Sequence, residues 1–241
     1  MARSVGPLVG DATSGPTSAA GQRLDQRSNR WSTQPEPLVD HPSDGDPRLA
    51  IRINGVATRA GLHGSPFSAD EQATGHAHTR RAAAFMMFTE TEPSVLCPIS
   101  MTYAVTPALR TNPAIYADWA PQLTSRAYDP ALKLWRNKPG VTMGMGMTEK
   151  QGGSDVRANT THAEPEGTDA WGQRFSVTGH KWFFSAPMCD AFLILAQTTS
   201  GLSCLFLPRV LPDWVEPSGG DGSLNAIRIQ RLKDKLGNKA N

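Results

Sequence analysis

Apolar and polar positions change rhythm twice along this chain. Residues 1–47 are rich in Ser, Gly, Pro, Gln and Arg and show no sustained apolar period, so the segment has too little to bury to pack by itself. The apolar patch LAIRINGV at residues 49–56 fits a strand or a helix start equally. Residues 1–60 are therefore read as disordered or unrelated to the rest of the chain. From Ser68 the pattern becomes helical. Ser68-Ala-Asp-Glu71 has the form of a capping box, and TRRAAAFMMF at 79–88 continues it with good helix formers. Further helices are predicted over 98–109 and 113–123, with Pro98 and Pro113 in first turns, where a missing amide proton costs least. Residues 61–140 thus form a helical N-terminal domain, present in part.

After Gly140 the period switches to two. Strands are predicted over 141–148, 156–164, 174–184, 191–197, 202–208 and 225–232. PEGTDA at 165–170 suits a hairpin turn, and Ser200-Gly201 joins the next pair. The fold class expected is α+β: a helical N-terminal part, then an antiparallel β-barrel or sandwich over 141–241. The pattern stops at KLGNKAN (235–241) without a closing element, so the chain reads as truncated.

Composition narrows the classes. The 241 residues carry a formal charge of only +2 and no concentrated basic stripe. Cys97, Cys189 and Cys204 are scattered, without a CxxC pair, and read as buried thiols instead of a disulfide frame or zinc site. His76 and His78 lie on opposite sides of the first helix without a carboxylate or cysteine at ligand spacing, so they read as surface histidines and no metal is expected. No apolar run approaches a membrane span, and the N-terminus lacks the apolar core of a secretory signal. The expected location is cytoplasmic.

Two stretches carry candidate chemistry. The first is MGMGMTEKQGGSDV, residues 143–156. A dinucleotide fingerprint fails because Glu149 stands where a third glycine is needed, and a Walker loop fails because Gln151 follows Lys150. What remains is a strand ending in a polar turn. Gly152 and Gly153 are free to take φ of mixed sign, so successive amides could converge on an anion, with the Ser154 hydroxyl as a further donor. The same residues also suit a tight turn with a glycine bulge. The second stretch is HKWFFS, residues 180–185. Three aromatics in a row on a strand must divide between its faces. At least one is then presented either to a flat ring or to the helical layer.

Together, MTEKQGGSDV followed after a hairpin by GHKWFFS resembles the middle β-domain of the acyl-CoA dehydrogenases, which are flavoproteins. Lys150 and Gln151 stand where that family usually has a proline and its neighbour. With LCPISMT (96–102), GLSC (201–204) and RLKDKLGN (231–238), this departure is similar to the branch of the alkylation-response protein AidB. The resemblance runs from about Gly61 to Asn241. It implies FAD, with Met145, Met147 and Thr148 meeting the flavin ring and Thr148 bonding its N5 or O4 edge. It implies that Gly153 and Ser154 approach the phosphates or the substrate thioester, and that Trp182, Phe183, Phe184 and Ser185 form a second flavin wall. It also implies an acyl-CoA substrate that loses an α-proton to a carboxylate and a β-hydride to flavin. The family's catalytic Glu lies in a C-terminal helical bundle that this sequence does not include, so no catalytic residue is assigned. Glu149 belongs to the binding turn. For full-length members the resemblance implies a homotetramer and possible DNA binding, for which Arg228, Arg231, Lys233, Lys235 and Lys239 are thin support. Residues 214–223 read as a loop insertion. Three functions stay open: acyl-CoA oxidation, flavin-containing DNA binding, and an inactive fragment.

Overall fold

A computed structural model describes residues 2–4, 47–93, 95–212 and 223–230. The ambiguous patch at 49–56 lies within a helix, α1 (Pro47–Arg59), whose Ile53 and Ala57 pack with Leu62, Val95 and Ile99. Gly61 ends it in the left-handed conformation (φ 75°). The Gly61 N–H reaches Thr58 O at 2.8 Å and the Leu62 N–H reaches Ala57 O at 3.1 Å. This is a Schellman close, which glycine makes without a Cβ penalty.

The single helix expected from Ser68 to Phe88 is two, α2 (Ala69–Ala73) and α3 (Ala77–Thr91). Gly75 breaks them apart with φ 71°. The capping box does not form. The Ser68 hydroxyl donates to Ser65 O, and the Glu71 carboxylate pairs with Arg80 and Arg126, each at 3.2 Å. The Ser68 N–H that would complete the box already donates to Ser65 O at 3.1 Å. Helix α4 (Leu96–Leu109) starts two residues before Pro98, and α5 (Pro113–Leu123) runs as predicted, with Asn112 Oδ1 accepting the Ile115 N–H at 3.1 Å. His76 and His78 are exposed, and His78 Nδ1 bonds the Tyr103 hydroxyl at 2.7 Å.

The β part differs from the expected antiparallel barrel or sandwich. The strands are β1 (Ala2–Ser4), β2 (Met143–Gly146), β3 (His162–Asp169), β4 (Gly172–Thr178), β5 (Ala191–Thr198), β6 (Gly201–Pro208), β7 (Val210–Leu211) and β8 (Ser223–Leu224). Six of them form one mixed sheet in the order β1-β6-β5-β3-β4, with β2 also on β5, and β7 pairs β8 separately. β5–β6 and β3–β4 are antiparallel, while β1–β6, β2–β5 and β3–β5 are parallel. Among the described residues no ladder closes this sheet into a barrel. One edge of β5 is divided: β2 occupies Ala191 to Ile194 and β3 touches only at Gln197. Alternation identifies a strand but carries no information about its partner or direction, so the parallel pairings were not legible.

Boundaries moved for local reasons. Residues 156–158 are a 3-10 turn because the Asp155 carboxylate accepts the Arg157 N–H at 3.1 Å. The proposed turn at 165–170 is mostly strand, with a register shift between Pro165 and Gly167. The hairpin instead turns after Asp169, whose carboxylate accepts the Trp171 N–H at 2.8 Å. The strand expected over 174–184 ends at Thr178, and none is present over 225–230. Residues 231–232, and residues 214–222 of the proposed insertion at 214–223, lie outside the described residues, while Ser223 begins β8. Cys97 is exposed, contrary to the expected buried thiol, while Cys189 is buried and Cys204 partly so.

The helical layer joins the sheet through aromatic rings. Trp119 of α5 stacks on Trp135 at 5.3 Å and meets Phe206 of β6 edge-on at 5.1 Å. Trp171, at the hairpin tip, lies 4.9 Å from Trp135 and donates its Nε1–H to Asp118 Oδ2 at 2.7 Å. Asn112 caps α5 with one side-chain atom and bonds Trp171 O with the other, at 2.8 Å. Beyond the area they bury, such ring pairs contribute roughly 0.5–1.5 kcal/mol each.

Candidate flavin-facing site

β2 is fixed before anything can be built on it. The buried Thr102 hydroxyl of α4 accepts the Met143 N–H at 2.9 Å. On the other side the Asp190 carboxylate accepts from the Thr142 N–H at 2.9 Å and from Lys138 Nζ at 2.5 Å. Burial pushes the Asp190 carboxyl up, and the Lys138 ammonium beside it works in the opposite direction.

The glycines of MGMG are contact surfaces. A Cβ on Gly144 would stand 2.5 Å from Phe192 Cδ1, and one on Gly146 would collide with the Phe184 ring. The two glycines therefore let two phenyl rings lie directly against the strand, and the methionines between them are left to face elsewhere. Met143 is buried, while Met145 and Met147 are partly exposed.

The two motifs meet edge to edge. Met145 forms an isolated antiparallel bridge with Ser185, and the Trp182 N–H donates to Thr148 O at 2.9 Å. The aromatics lie outside any regular strand, with a bend at Trp182, and two of them face opposite ways. Phe184 turns inward onto Phe192, at 4.4 Å between centroids, and Phe183 turns outward, 54% exposed. Trp182 is partly exposed. Backbone contacts thus bring Met145, Met147 and Thr148 beside Trp182, Phe183 and Ser185, all at least partly exposed, with Phe184 packed inward on Phe192.

The polar turn is tighter than an anion nest. Glu149 N–H donates to Gly152 O at 3.0 Å and Gly152 N–H returns to Glu149 O at 3.2 Å. Neither Gly152 nor Gly153 has a positive φ, so the alternation that aims successive amides at an anion is missing. The turn folds back on Thr148: a Cβ on Gly153 would stand 3.4 Å from Thr148 Cγ2. Gly153 and Ser154 are exposed beside it.

Glu149 is the residue that sequence reasoning undervalued. Its carboxylate is buried and accepts from Lys181 Nζ (2.8 Å), Gln151 Nε2 (2.7 Å), Thr160 N–H and hydroxyl (2.7 and 2.9 Å), and Thr161 N–H and hydroxyl (3.0 and 2.5 Å). Burial opposes its charge, but the Lys181 ammonium and the Thr161, Thr160 and Gln151 donors hold its carboxyl well below the usual carboxylate range. A carboxylate so ionised and so saturated has no spare lone pair for a substrate proton, so it is unsuited to be a general base. Nearby, Asn159 Nδ2 donates to Met147 O at 2.9 Å. The only signal in the sequence was a Glu and a Lys embedded in otherwise hydroxyl-rich and aromatic stretches.

These residues fit one side of a planar heteroaromatic group. The surface offers thioether and aromatic faces, and the Thr148 hydroxyl has no partner among the described residues. Of the basic residues near the C-terminus, Arg228 is exposed, and the other four lie outside the described residues.

Residues 53–130 match the adaptive response protein AidB N-terminal domain, and residues 144–241 match the acyl-CoA dehydrogenase middle domain. The chain is 50% identical over 175 residues to the putative acyl-CoA dehydrogenase AidB of Escherichia coli, a match covering 71% of this chain and 30% of that protein. It is 33% identical over 170 residues to acyl-CoA dehydrogenase family member 11 of Caenorhabditis elegans, covering 66% of this chain and 25% of that one. Among solved structures, Bd2924 in its apo form superimposes with TM-score 0.66 at 26% identity, covering all of this chain and 52% of its own. Caenorhabditis elegans ACDH-11 in complex with C11-CoA gives TM-score 0.62 at 20% identity, over all of this chain and 45% of its own. The chain therefore spans about half of those structures or less, and it belongs to the acyl-CoA dehydrogenase family, in the branch of AidB.

Proposed function

We propose that this chain supplies the FAD-facing wall of an acyl-CoA dehydrogenase-type flavoprotein, with residues 61–140 as a helical domain and 141–241 as the middle domain. The observation that carries the proposal is the direct pairing of the two motifs through the Met145–Ser185 bridge and the Trp182–Thr148 hydrogen bond. In this arrangement Met145 and Met147 line the ring's apolar face, and the Thr148 hydroxyl meets its N5 or O4 edge. Trp182, Phe183 and Ser185 extend the wall, Phe184 supports it from behind, and Gly153 and Ser154 bound the polar end. Bound FAD would supply the two-electron acceptor that no side chain can provide. The chain's own contribution is to orient the ring and to exclude water from one of its faces. An acyl-CoA is the substrate class favoured, as in the C11-CoA complex of the worm protein. None of these wall residues removes the substrate's α-proton, and a partner layer carrying that base completes the enzyme.

The test is a fluorescence titration of FAD with the purified 241-residue chain. Quenching of flavin emission that saturates, together with a shift in the visible bands, is the expected result. Emission that stays unchanged at high protein concentration overturns the proposal of a cofactor wall.

A further inference from the structure

We propose that Glu149 and Lys181 are a positioning pair that sets the alignment of Thr148 against Trp182, and so the shape of the flavin-facing surface. The proposal rests on the flavin wall described under Proposed function. Each member of the pair is the chain neighbour of one residue of that surface. The backbone bond from Trp182 N–H to Thr148 O (2.9 Å) and the ion pair (2.8 Å) are thus adjacent rungs between the same two segments. The Glu149 side chain is 1% exposed and that of Lys181 7%, so solvent neither screens nor competes with the contact. Glu149 also gathers the polar turn through Gln151 and the entry to β3 through Thr160 and Thr161. Three segments that share no regular ladder at this point therefore converge on one carboxylate.

Stability alone does not explain such a pair. A buried ion pair replaced by well-packed apolar residues is often no less stable, because desolvation offsets much of the attraction. What an apolar contact lacks is direction. Hydrogen bonds of fixed length from Lys181 and the threonines hold the two segments in one register, whereas apolar side chains can slide. Both side chains are buried, at 1% and 7% exposed, so they act through their chain neighbours Thr148 and Trp182.

Lys181→Met is the informative variant, because Glu149 keeps five other hydrogen-bond donors and the fold need not collapse. FAD affinity by titration, visible circular dichroism of the bound flavin and the thermal midpoint without FAD are measured for wild type, Lys181→Met and Lys181→Arg. The expected result is a loss of about tenfold or more in FAD affinity and an altered dichroism in Lys181→Met, with rescue to within about threefold in Lys181→Arg. Wild-type affinity and dichroism in Lys181→Met would overturn the pair's role while leaving the flavin wall intact. A wild-type chain that binds no FAD would overturn both. Should Lys181→Met fail to fold, the neutral double variant Glu149→Gln/Lys181→Met decides: weakened FAD binding in a folded double variant supports positioning, and wild-type binding refutes it.

Discussion

Phe184 lies across Gly146 so closely that a Cβ on that glycine would run into the ring edge, at Cε2 and Cδ2. The relationship explains why glycine alternates with methionine in the first motif. The strand must be bare on the side where the aromatic segment docks, and side chains are tolerated only on the other. The two motifs, with residues 157–179 between them in sequence, are thereby two halves of one contact.

Gly146→Ala should destabilise the chain by about 1–3 kcal/mol through overpacking against Phe184. Urea unfolding gives the loss directly. In a double-mutant cycle with Phe184→Ala the two effects should fall well short of additive, since removing the ring removes the collision.

His63 should make the chain acid-sensitive above the range where most carboxylates titrate. It is fully buried, its Nε2–H donates to Ser125 O at 2.9 Å, and burial pushes its pKa from 6.5 down to about 4. The unfolded chain takes up a proton near pH 6.5 that the folded chain refuses until about pH 4. Stability is therefore fully present above 6.5 and lost as pH falls toward 4, by about 3 kcal/mol at the low end. Melting midpoints across this window should decline in wild type and flatten in His63→Gln, whose amide can still donate to Ser125.

Lys138→Met should cost about 3–5 kcal/mol, because it leaves the Asp190 carboxylate buried without its partner. The side chains of this pair are 2% and 6% exposed, so water cannot compensate. Denaturant midpoints report the loss. It should be smaller at a pH low enough to protonate Asp190, whose carboxyl burial has already pushed up.

Trp171→Ala should cost about 3–5 kcal/mol and loosen the helical layer from the sheet. It removes the ring wedged against Trp135 and Phe206 and the bond to Asp118 together. Hydrogen exchange should show the larger gain in α5 and the β3–β4 hairpin, with β5 and β6 less affected. Uniform loss of protection would argue against a joint localised at the tryptophans.

The helices after residue 96 were legible because prolines at 98 and 113 mark their first turns. Helix α1 was not, since an eight-residue apolar run satisfies either period, and its packing on Val95 and Ile99 decides the matter. β5 and β6 were found nearly to the residue from their continuous apolar runs. The mixed sheet was missed because pairing direction is a property of two strands together. In the candidate site, both motifs could be read locally. That Phe184 faces the core while Phe183 faces out, and that Gly152 and Gly153 make no nest, could not.

Local chemistry along the chain determined where helices begin, which runs are strands, and which two stretches are unusual enough to form a site. Capping, proline geometry and hydrophobic period act within a few residues, so they survive in the sequence alone. Only the tertiary structure decided that β2 joins β5 in parallel, that Gly146 makes room for Phe184, and that the Glu149 carboxylate binds three separate segments through Gln151, Thr160, Thr161 and Lys181. Those outcomes depend on excluded volume and on which donors the fold brings within reach of a buried charge. Both are settled between residues distant in sequence, after the chain has closed on itself.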